Sequence, residues 1–154
     1  MWLPDVNVLV AAQRSDHDHH EVCREWLTSM GVLAQERLAL SEHVSVSVIR
    51  LLTSAAIFKT PTRQSEALAF VQRVRDAPHA LRVVEGDVFF AIFIDLCVAS
   101  AATGKSITDA ALAALAIEHG AVLVTLDGGF GRFPRLMWMD PRDGEVRRNP
   151  ERKK

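Results

Sequence analysis

Short apolar segments of strand length alternate along the chain with longer segments of helical periodicity. The strand-like segments are residues 2–3, 38–40, 81–84, 122–125 and 136–139. Strands that are separated by helices pair in parallel through right-handed crossovers, and the helices then cover both faces of the sheet. The alternation therefore predicts an α/β fold built on a central, mainly parallel sheet of four to five strands.

The segments between these strands carry apolar residues at helical spacing. They predict helices over residues 6–12, 21–30, 88–101 and 109–119, with two more that follow Ser41 and that begin at Thr60-Pro61. Gly31 is expected to end the second helix, and Thr108 to cap the last one. Segment 88–101 is so apolar that we expect it to be the most buried helix of the chain.

The length and composition are those of one ordinary globular domain. The chain has 154 residues, of which 49% are hydrophobic and 24% are charged, and we place the domain at residues 1–141. Residues 142–154 are polar and basic, and we expect them to form a flexible tail. The formal net charge of −1 gives the whole chain no general affinity for polyanions, so it neither supports nor excludes RNA.

Two features argue against a zinc-stabilised protein and against a secreted one. Cys23 and Cys97 fall on apolar faces of predicted helices and not at the spacing of a zinc motif. The first residues lack the basic segment of a secretory signal, and no apolar run reaches the ~20 residues that a membrane span needs. We therefore expect a soluble protein of the cytoplasm.

Three aspartates stand where predicted strands end or predicted helices begin. Asp5 follows the first strand, Asp109 opens the last helix, and Asp127 follows strand 122–125. Each has an ordinary alternative role, in a helix cap, in a first helical turn or in a Gly-Gly turn. However, the carboxyl ends of parallel strands share one edge of the sheet, where ligands collect. Carboxylates crowded together there repel unless a cation compensates, and such hard ligands suit Mg²⁺ or Mn²⁺.

Three motifs together resemble one protein family. They are Asp-Val-Asn-Val-Leu at residues 5–9, Thr-Asp-Ala-Ala-Leu at residues 108–112, and Val-Thr-Leu-Asp at residues 124–127, followed by Phe130. In these motifs the chain is similar to the PIN-domain ribonucleases, specifically the VapC-type toxins of bacterial toxin–antitoxin modules. The resemblance covers about residues 1–141.

The resemblance implies a three-layer α/β/α sandwich and a Mg²⁺- or Mn²⁺-dependent endoribonuclease. Such proteins are usually homodimers, and a cognate antitoxin holds them inactive by covering the acidic pocket. Asp5 and Asp109 would be the principal metal ligands, and Asp127 would bind a second metal or hold water. Asn7 and Thr125 would orient these carboxylates. The reaction implied is hydrolysis of an RNA phosphodiester by metal-activated water, through one metal ion or two.

This sequence departs from the family pattern at one expected ligand. The family carries a glutamate early in the helix after the second strand, six residues beyond a Ser or Thr at the strand end. Counting from Ser41, that position is Ser47, whereas Glu42 lies five residues earlier on another face of the helix. Two interpretations of Glu42 stay open: it substitutes as a metal ligand, or it is an ordinary acid of the first helical turn.

Two other functions fit parts of the pattern. A phosphatase that begins with Asp-x-Asp would use its first acid as nucleophile, but Asn7 stands in place of the general acid, which argues against it. A non-catalytic protein that keeps the fold and binds an antitoxin is the other alternative. Ser47 at the expected glutamate position supports that second reading.

The remaining charged and aromatic side chains give weaker signals. The run Asp-His-Asp-His-His at residues 16–20 is interpreted as a solvated loop and not as a metal cluster. Phe130 is the one aromatic residue that we single out as a candidate to stack on a base. Six basic residues could flank the acidic pocket, although most are interpreted as surface charges: Arg14, Arg50, Lys59, Arg63, Arg132 and Arg135.

Overall fold

The computed structural model describes residues 1–32 and 36–151. Within those residues, six strands form one sheet: β1 (Trp2–Pro4), β2 (Leu38–Leu40), β3 (Ala80–Arg82), β4 (Val122–Val124), β5 (Met137–Met139) and β6 (Val146–Arg148). The α-helices of the same residues are α1 (Val6–Gln13), α2 (His20–Val32), α3 (Glu42–Leu52), α4 (Gln64–Arg75), α5 (Phe89–Ser100) and α6 (Lys105–Glu118). A 3-10 helix, Gly128–Arg132, follows β4.

The strand order β3-β2-β1-β4-β5-β6 places β1 inside the sheet. β1 pairs in parallel with β2 on one side and with β4 on the other, where Pro4 lies opposite Val124. The pairs β2–β3 and β4–β5 are parallel as well. The strand order therefore reverses next to β1, as expected for a sheet that gathers ligands at this edge. The predicted mainly parallel sheet is confirmed, and it has six strands where four to five were expected.

Helices cover both faces of this sheet, which confirms the three-layer arrangement. On one face, Leu3 and Leu123 belong to an apolar cluster with Ala113 of α6. On the other face, Leu38 and Leu40 belong to a cluster with side chains of α1, α3 and α4. β2 thus divides its side chains between two apolar layers, with Ala39 on one face and Leu38 and Leu40 on the other, as in a parallel sheet buried on both faces.

Val146–Arg148, where we expected a flexible tail, forms the edge strand β6 and pairs antiparallel with β5. Asn149 fixes the end of this strand, because its N–H donates to the Leu136 carbonyl at 2.9 Å. Its Nδ2 donates to the carbonyls of Phe130 and Phe133 at 3.0 and 2.8 Å. The expectation of flexibility is therefore wrong for these residues, whose polarity reflects an exposed sheet edge. Residues 152–154 of the predicted tail lie outside the described residues.

The prediction that segment 88–101 forms the most buried helix is wrong. Among the α5 residues, all of which the structure describes, Leu96 alone is buried. Phe90, Ile94 and Val98 are 64%, 47% and 70% exposed. They lie four residues apart and form one apolar line on the outer surface, which we call the α5 stripe.

No helix within the described residues is both long and apolar enough to cross a membrane.

The helix that carries Asp109 begins earlier than predicted. α6 starts at Lys105, and Gly104 precedes it with a φ of +53°, a left-handed conformation that favours glycine. Thr108 is therefore an internal residue of the helix and not its cap. Asp109 lies in the second turn, so its carboxylate is not occupied by capping the helix.

Three further expectations are corrected by the structure. α4 begins at Gln64 and not at Pro61, because the Thr62 N–H donates to the carbonyl of the last α3 residue at 2.8 Å and holds this segment against α3. α2 continues through Gly31 to Val32. Phe130, singled out for base stacking, is 2% exposed and belongs to the core.

Candidate active site

The three aspartates identified from the sequence line one cleft of about 570 Å³. Asp5 follows β1 and Asp127 lies just beyond β4, so the two adjacent parallel strands bring both acids to the same edge of the sheet. Asp109 reaches the cleft from α6. The convergence that we expected is therefore observed, while the ligand roles of these residues stay predictions.

Asp5 is held by donors on both of its carboxylate oxygens. Its Oδ1 accepts the Val6 N–H at 2.6 Å, in the N-cap position of α1. Its Oδ2 accepts from Asn7 Nδ2 and from the Thr125 hydroxyl, both at 2.7 Å. These bonds fix the carboxylate, and because each oxygen has two lone pairs, Oδ1 keeps one for a further partner.

Asn7 and Thr125 connect the ends of β1 and β4. Asn7 Nδ2 also donates to Thr125 Oγ1 at 3.1 Å, and Asn7 Oδ1 accepts the Leu126 N–H at 3.2 Å. Thr125 is fully buried, and its Oγ1 accepts the Asp127 N–H at 3.1 Å. One hydrogen-bonded network therefore sets the positions of Asp5 and Asp127 together, which suits the orienting role that the resemblance implies.

Asp109 and Asp127 keep carboxylate oxygens available for a ligand. Asp127 Oδ1 accepts the Gly129 N–H at 2.7 Å and caps the 3-10 helix. No residue that the structure describes forms a hydrogen bond with the Asp109 carboxylate, on which nearby charges act through space. Both side chains can therefore bind a further group without losing their structural contacts.

Burial and mutual repulsion raise the pKa of two of these acids. Burial is the main cause that raises the pKa of Asp5 above 3.8; its hydrogen bonds oppose the shift, and the charges of Asp109 and Asp127 add to it. Burial also raises the pKa of Asp109, which Lys105 and Arg132 lower and Asp127 raises further. The cleft thus disfavours its own negative charge, and a positive ion would relieve that repulsion.

The donor set fits a divalent cation such as Mg²⁺ or Mn²⁺. Three carboxylates from three elements of the fold share the cleft, and carboxylate oxygens are the hard ligands that these cations prefer. In residues 1–32 and 36–151, no three His, Cys, Asp or Glu side chains form a preassembled ligand cluster. The cleft therefore offers the ligands, and the carboxylates would draw closer together when a cation binds.

Glu42 lies outside the cleft, so its predicted role as a metal ligand is corrected. Its two oxygens accept from Nη1 and Nη2 of Arg75, each at 3.0 Å, and Arg82 Nε lies 3.0 Å away. The hydrogen bonds from Arg75 are the main cause that lowers the pKa of Glu42. Glu42 is an acid of the first turn of α3 that ties this helix to α4 and β3.

Ser47 lines the cleft at the position where the resemblance expects a glutamate. Ser41 has a different role: it is a buried N-cap whose Oγ accepts the Val44 N–H at 3.2 Å, so it supports α3 and does not line the cleft. The described part of the cleft therefore carries three carboxylates where the family pattern has four.

Several cleft residues were not identified from the sequence as parts of a site. His43 and Lys105 lie on opposite walls, one helical turn before Ser47 and Asp109 respectively. This spacing was the only signal that could have found them. His17 also lines the cleft, although we interpreted its histidine-rich run as a solvated loop.

The basic residues proposed to flank the pocket lie in different environments. Arg50 lines the cleft, and Arg132 lies close enough to lower the pKa of Asp109. Arg14 instead donates from Nε and Nη2 to the two oxygens of Asp16, at 2.8 and 2.5 Å. Arg50 is therefore the member of this set that best suits contact with a ligand in the cleft.

Sequence relatives extend over nearly the whole chain. The PIN domain family model matches residues 3–136. Ribonuclease VapC25 of Mycobacterium tuberculosis is 37% identical over 141 residues, which cover 92% of this chain and 99% of that protein. The VapC ribonuclease Mb2897 of Mycobacterium bovis is 38% identical over 146 residues, which cover 95% of this chain and 99% of that protein.

Solved structures share the fold. A chain of VapBC2 from Rickettsia felis, solved with a DNA fragment from its promoter, has a TM-score of 0.65 at 16% identity and covers 90% of this chain and 96% of its own length. VapC20 of Mycobacterium tuberculosis has a TM-score of 0.60 at 16% identity and covers 84% of this chain and 92% of its own length. From the match of the family model and the identity to its relatives, this chain belongs to the PIN-domain family, among the VapC ribonucleases.

Proposed function

We propose that this protein is a divalent-metal-dependent endoribonuclease and acts as the toxin of a toxin–antitoxin pair in the cytoplasm. The convergence of Asp5, Asp109 and Asp127 on one cleft is the observation that carries this proposal. Metal-assisted hydrolysis of a phosphodiester requires such a set of hard ligands beside the phosphate. The relatives add the substrate class, since VapC25 and Mb2897 are both named as ribonucleases.

Asp5, Asp109 and Asp127 would hold the Mg²⁺ or Mn²⁺ ion. When bound, such a cation supplies positive charge to the phosphate and lowers the pKa of water in contact with it. Asn7 and Thr125 keep Asp5 in one orientation through their hydrogen bonds at 2.7 Å. Asp127 keeps Oδ2 available and is placed to orient the attacking water or to accept its proton.

Positive side chains on both walls of the cleft would guide the RNA strand to the acids. Lys105 lies on the α6 wall and Arg50 on the α3 wall. The three carboxylates stand between these two positive side chains, so the cleft offers ligands for a cation beside groups that attract the phosphate.

Metal-dependent cleavage tests this proposal. The purified protein is expected to cut end-labelled cellular RNA in Mn²⁺ or Mg²⁺ and to leave it intact in EDTA, because only a bound cation lets the three acids act on the phosphate. The fragments would be separated on a denaturing gel. Cutting that persists unchanged in EDTA would contradict the metal-dependent mechanism.

A catalytically weak or inactive protein that binds an antitoxin is the second candidate. Ser47 in the cleft favours this second candidate, because the family pattern has a glutamate at the position that Ser47 occupies. The same gel experiment separates the two candidates. RNA that stays intact in every metal, while the protein still binds its antitoxin, would establish the binding-only function.

An antitoxin is the protein partner that we propose, as the VapC resemblance implies. Beside its acids the cleft carries partly exposed apolar side chains from α1, α3 and α6, namely Val6, Leu51 and Leu112. An antitoxin segment that buries these side chains would also cover the acids and keep RNA out. Inhibition and apolar burial would then arise from the same contact.

We also propose a homodimer formed through the α5 stripe. Replacing Phe90 and Val98 together by Glu is expected to give a monomer, because unpaired charges are costly to bury in an interface. Light scattering coupled to size-exclusion chromatography measures the mass. Leu68→Glu on α4 is the matched control, since Leu68 is 48% exposed and lies outside the stripe. A dimer that survives the double substitution would place the interface elsewhere.

A further inference from the structure

We propose that Phe58 and Ile57 form a subsite for an unpaired nucleobase of the RNA, beside the point of cleavage. The inference rests on the proposed ribonuclease activity and names a feature of its substrate. Both side chains line the same cleft as the acids, although they come from the segment after α3 and not from the sheet edge. A base subsite would give the cleft a requirement for unpaired RNA that the acids alone do not impose.

The Phe58 ring is held in place by Arg14. The Arg14 Cζ lies over the ring, 4.3 Å from its centroid. Besides its pair with Asp16, the guanidinium donates from Nη1 to the Thr60 carbonyl at 2.8 Å. The Arg14 side chain is only 12% exposed, so it is a fixed part of the structure and is not available to bind RNA from solution.

These contacts fix the Phe58 ring at the cleft. The guanidinium covers one face of the ring, the ring also packs against the apolar cluster that contains Leu38 and Leu40, and Phe58 stays partly exposed where it lines the cleft. Ile57 is 51% exposed and extends this surface toward solvent. Leu51 continues it on the last turn of α3.

A nucleobase matches such a surface because both are flat and apolar. Bases of every kind stack on aromatic side chains through their faces, so the contact strengthens binding without selecting a sequence. The bases of an RNA duplex are stacked on one another and are not available to a side chain. A base on Phe58 must therefore come from a single strand, a loop or a bulge.

Arg50 supplies the charge that a nucleotide needs next to its base. It is exposed, lines the same cleft, and forms no ion pair with any residue that the structure describes. A guanidinium can donate two parallel hydrogen bonds to a phosphate. An aromatic surface and an unpaired guanidinium within one cleft together favour a nucleotide over a purely apolar side chain of an antitoxin.

Binding without cleavage tests the subsite. The whole 154-residue chain with Asp109→Asn is titrated in EDTA against a short single-stranded RNA that carries one 2-aminopurine, whose fluorescence reports stacking. Phe58→Leu in this background is expected to lose the fluorescence change and to weaken binding about ten-fold to a hundred-fold, the usual effect of losing one stacked base. Phe58→Trp should keep both. Leu68→Ala on α4 is the control, since Leu68 is 48% exposed and lies outside both the cleft and the α5 stripe, and it should change neither.

A second variant protects the test against loss of folding. Ile57→Ser changes a side chain that is half exposed, so it is expected to leave the Tm unchanged and still to weaken RNA binding. RNA binding and fluorescence that stay at their original level in both Phe58→Leu and Ile57→Ser would overturn the subsite. Weaker antitoxin binding with unchanged RNA binding would assign this surface to the antitoxin and overturn it as well. Failure of the unaltered protein to bind or cut any RNA would reject the proposed function itself, and the subsite with it.

Discussion

Asp109→Asn is expected to reduce metal-dependent RNA cleavage at least about a hundred-fold, the scale of losing one group that acts on the reacting water or its cation. The same substitution should raise the Tm of the metal-free protein, because it removes a charge that repels Asp5. Asparagine has nearly the shape of aspartate, and the network of Asp5, Asn7 and Thr125 does not include Asp109. Cleavage on a gel and thermal denaturation in EDTA measure the two effects.

Glu42→Gln is the matched control for Asp109→Asn. It also removes one carboxylate, but Glu42 pairs with Arg75 and Arg82 outside the cleft. Cleavage should therefore stay unchanged, while the Tm should fall slightly or not at all, as is usual for exposed ion pairs. Loss of cleavage in Glu42→Gln with retention in Asp109→Asn would contradict the assignment of the acids.

The stabilisation by Asp109→Asn is expected to depend on pH. Because the pKa of Asp109 in the folded protein lies above 3.8, its charged form destabilises the fold at neutral pH. This destabilisation disappears as the pH falls through the raised pKa toward 3.8, because Asp109 is then protonated and uncharged in the folded protein. The difference in Tm between the variant and the unaltered protein should therefore close on acidification. A difference that widens in acid would have the wrong sign for a raised pKa.

Ser47→Glu is expected to strengthen the response of the protein to a divalent cation. Without metal, a fourth carboxylate in the cleft would add charge repulsion, so the Tm should fall in EDTA. With metal, the same carboxylate would be a further ligand, so the Tm should rise in Mn²⁺. A ligand at about 100 times its Kd adds about 2.7 kcal/mol to the free energy of unfolding. For a domain of this size, that corresponds to roughly 5 to 10 °C in Tm. Differential scanning fluorimetry across a Mn²⁺ series measures the shift.

Val46→Glu controls for the added charge on α3. Val46 is 63% exposed and lies next to Ser47 in the chain, but it does not line the cleft. Its substitution should leave the Mn²⁺ response unchanged. Equal responses of Ser47→Glu and Val46→Glu would show that position 47 does not face the cation.

The convergence of the acids could be predicted because it depends on local patterns and on one rule of topology. Asp5 and Asp127 follow short apolar strands, and parallel pairing puts the ends of neighbouring strands together whatever the loops do. The N-cap role of Ser41 was predictable for the same reason, since a cap depends only on the next few residues.

The fate of Glu42 and of α5 could not be predicted in this way. Glu42 is paired with Arg75 and Arg82, which lie far along the chain and reach it only after α4 and β3 have packed. The hydrophobicity of α5 indicates that its apolar side chains favour burial. It does not indicate whether they are buried by other parts of the same chain or by another protein chain. The walls of the cleft also depend on long-range contacts, so the sequence did not indicate that Phe58 lines the cleft.

The contacts of Asn149 have a consequence for the order in which this protein is made. Asn149 holds the carbonyls of the segment that Asp127 caps, and it follows both Asp5 and Asp127 in the chain. Domains fold as their chains emerge, so the segment that Asp127 caps gains these contacts only after Asn149 has left the ribosome. A nascent chain of the proposed nuclease would therefore carry Asp127 on an incompletely supported segment until Asn149 has emerged.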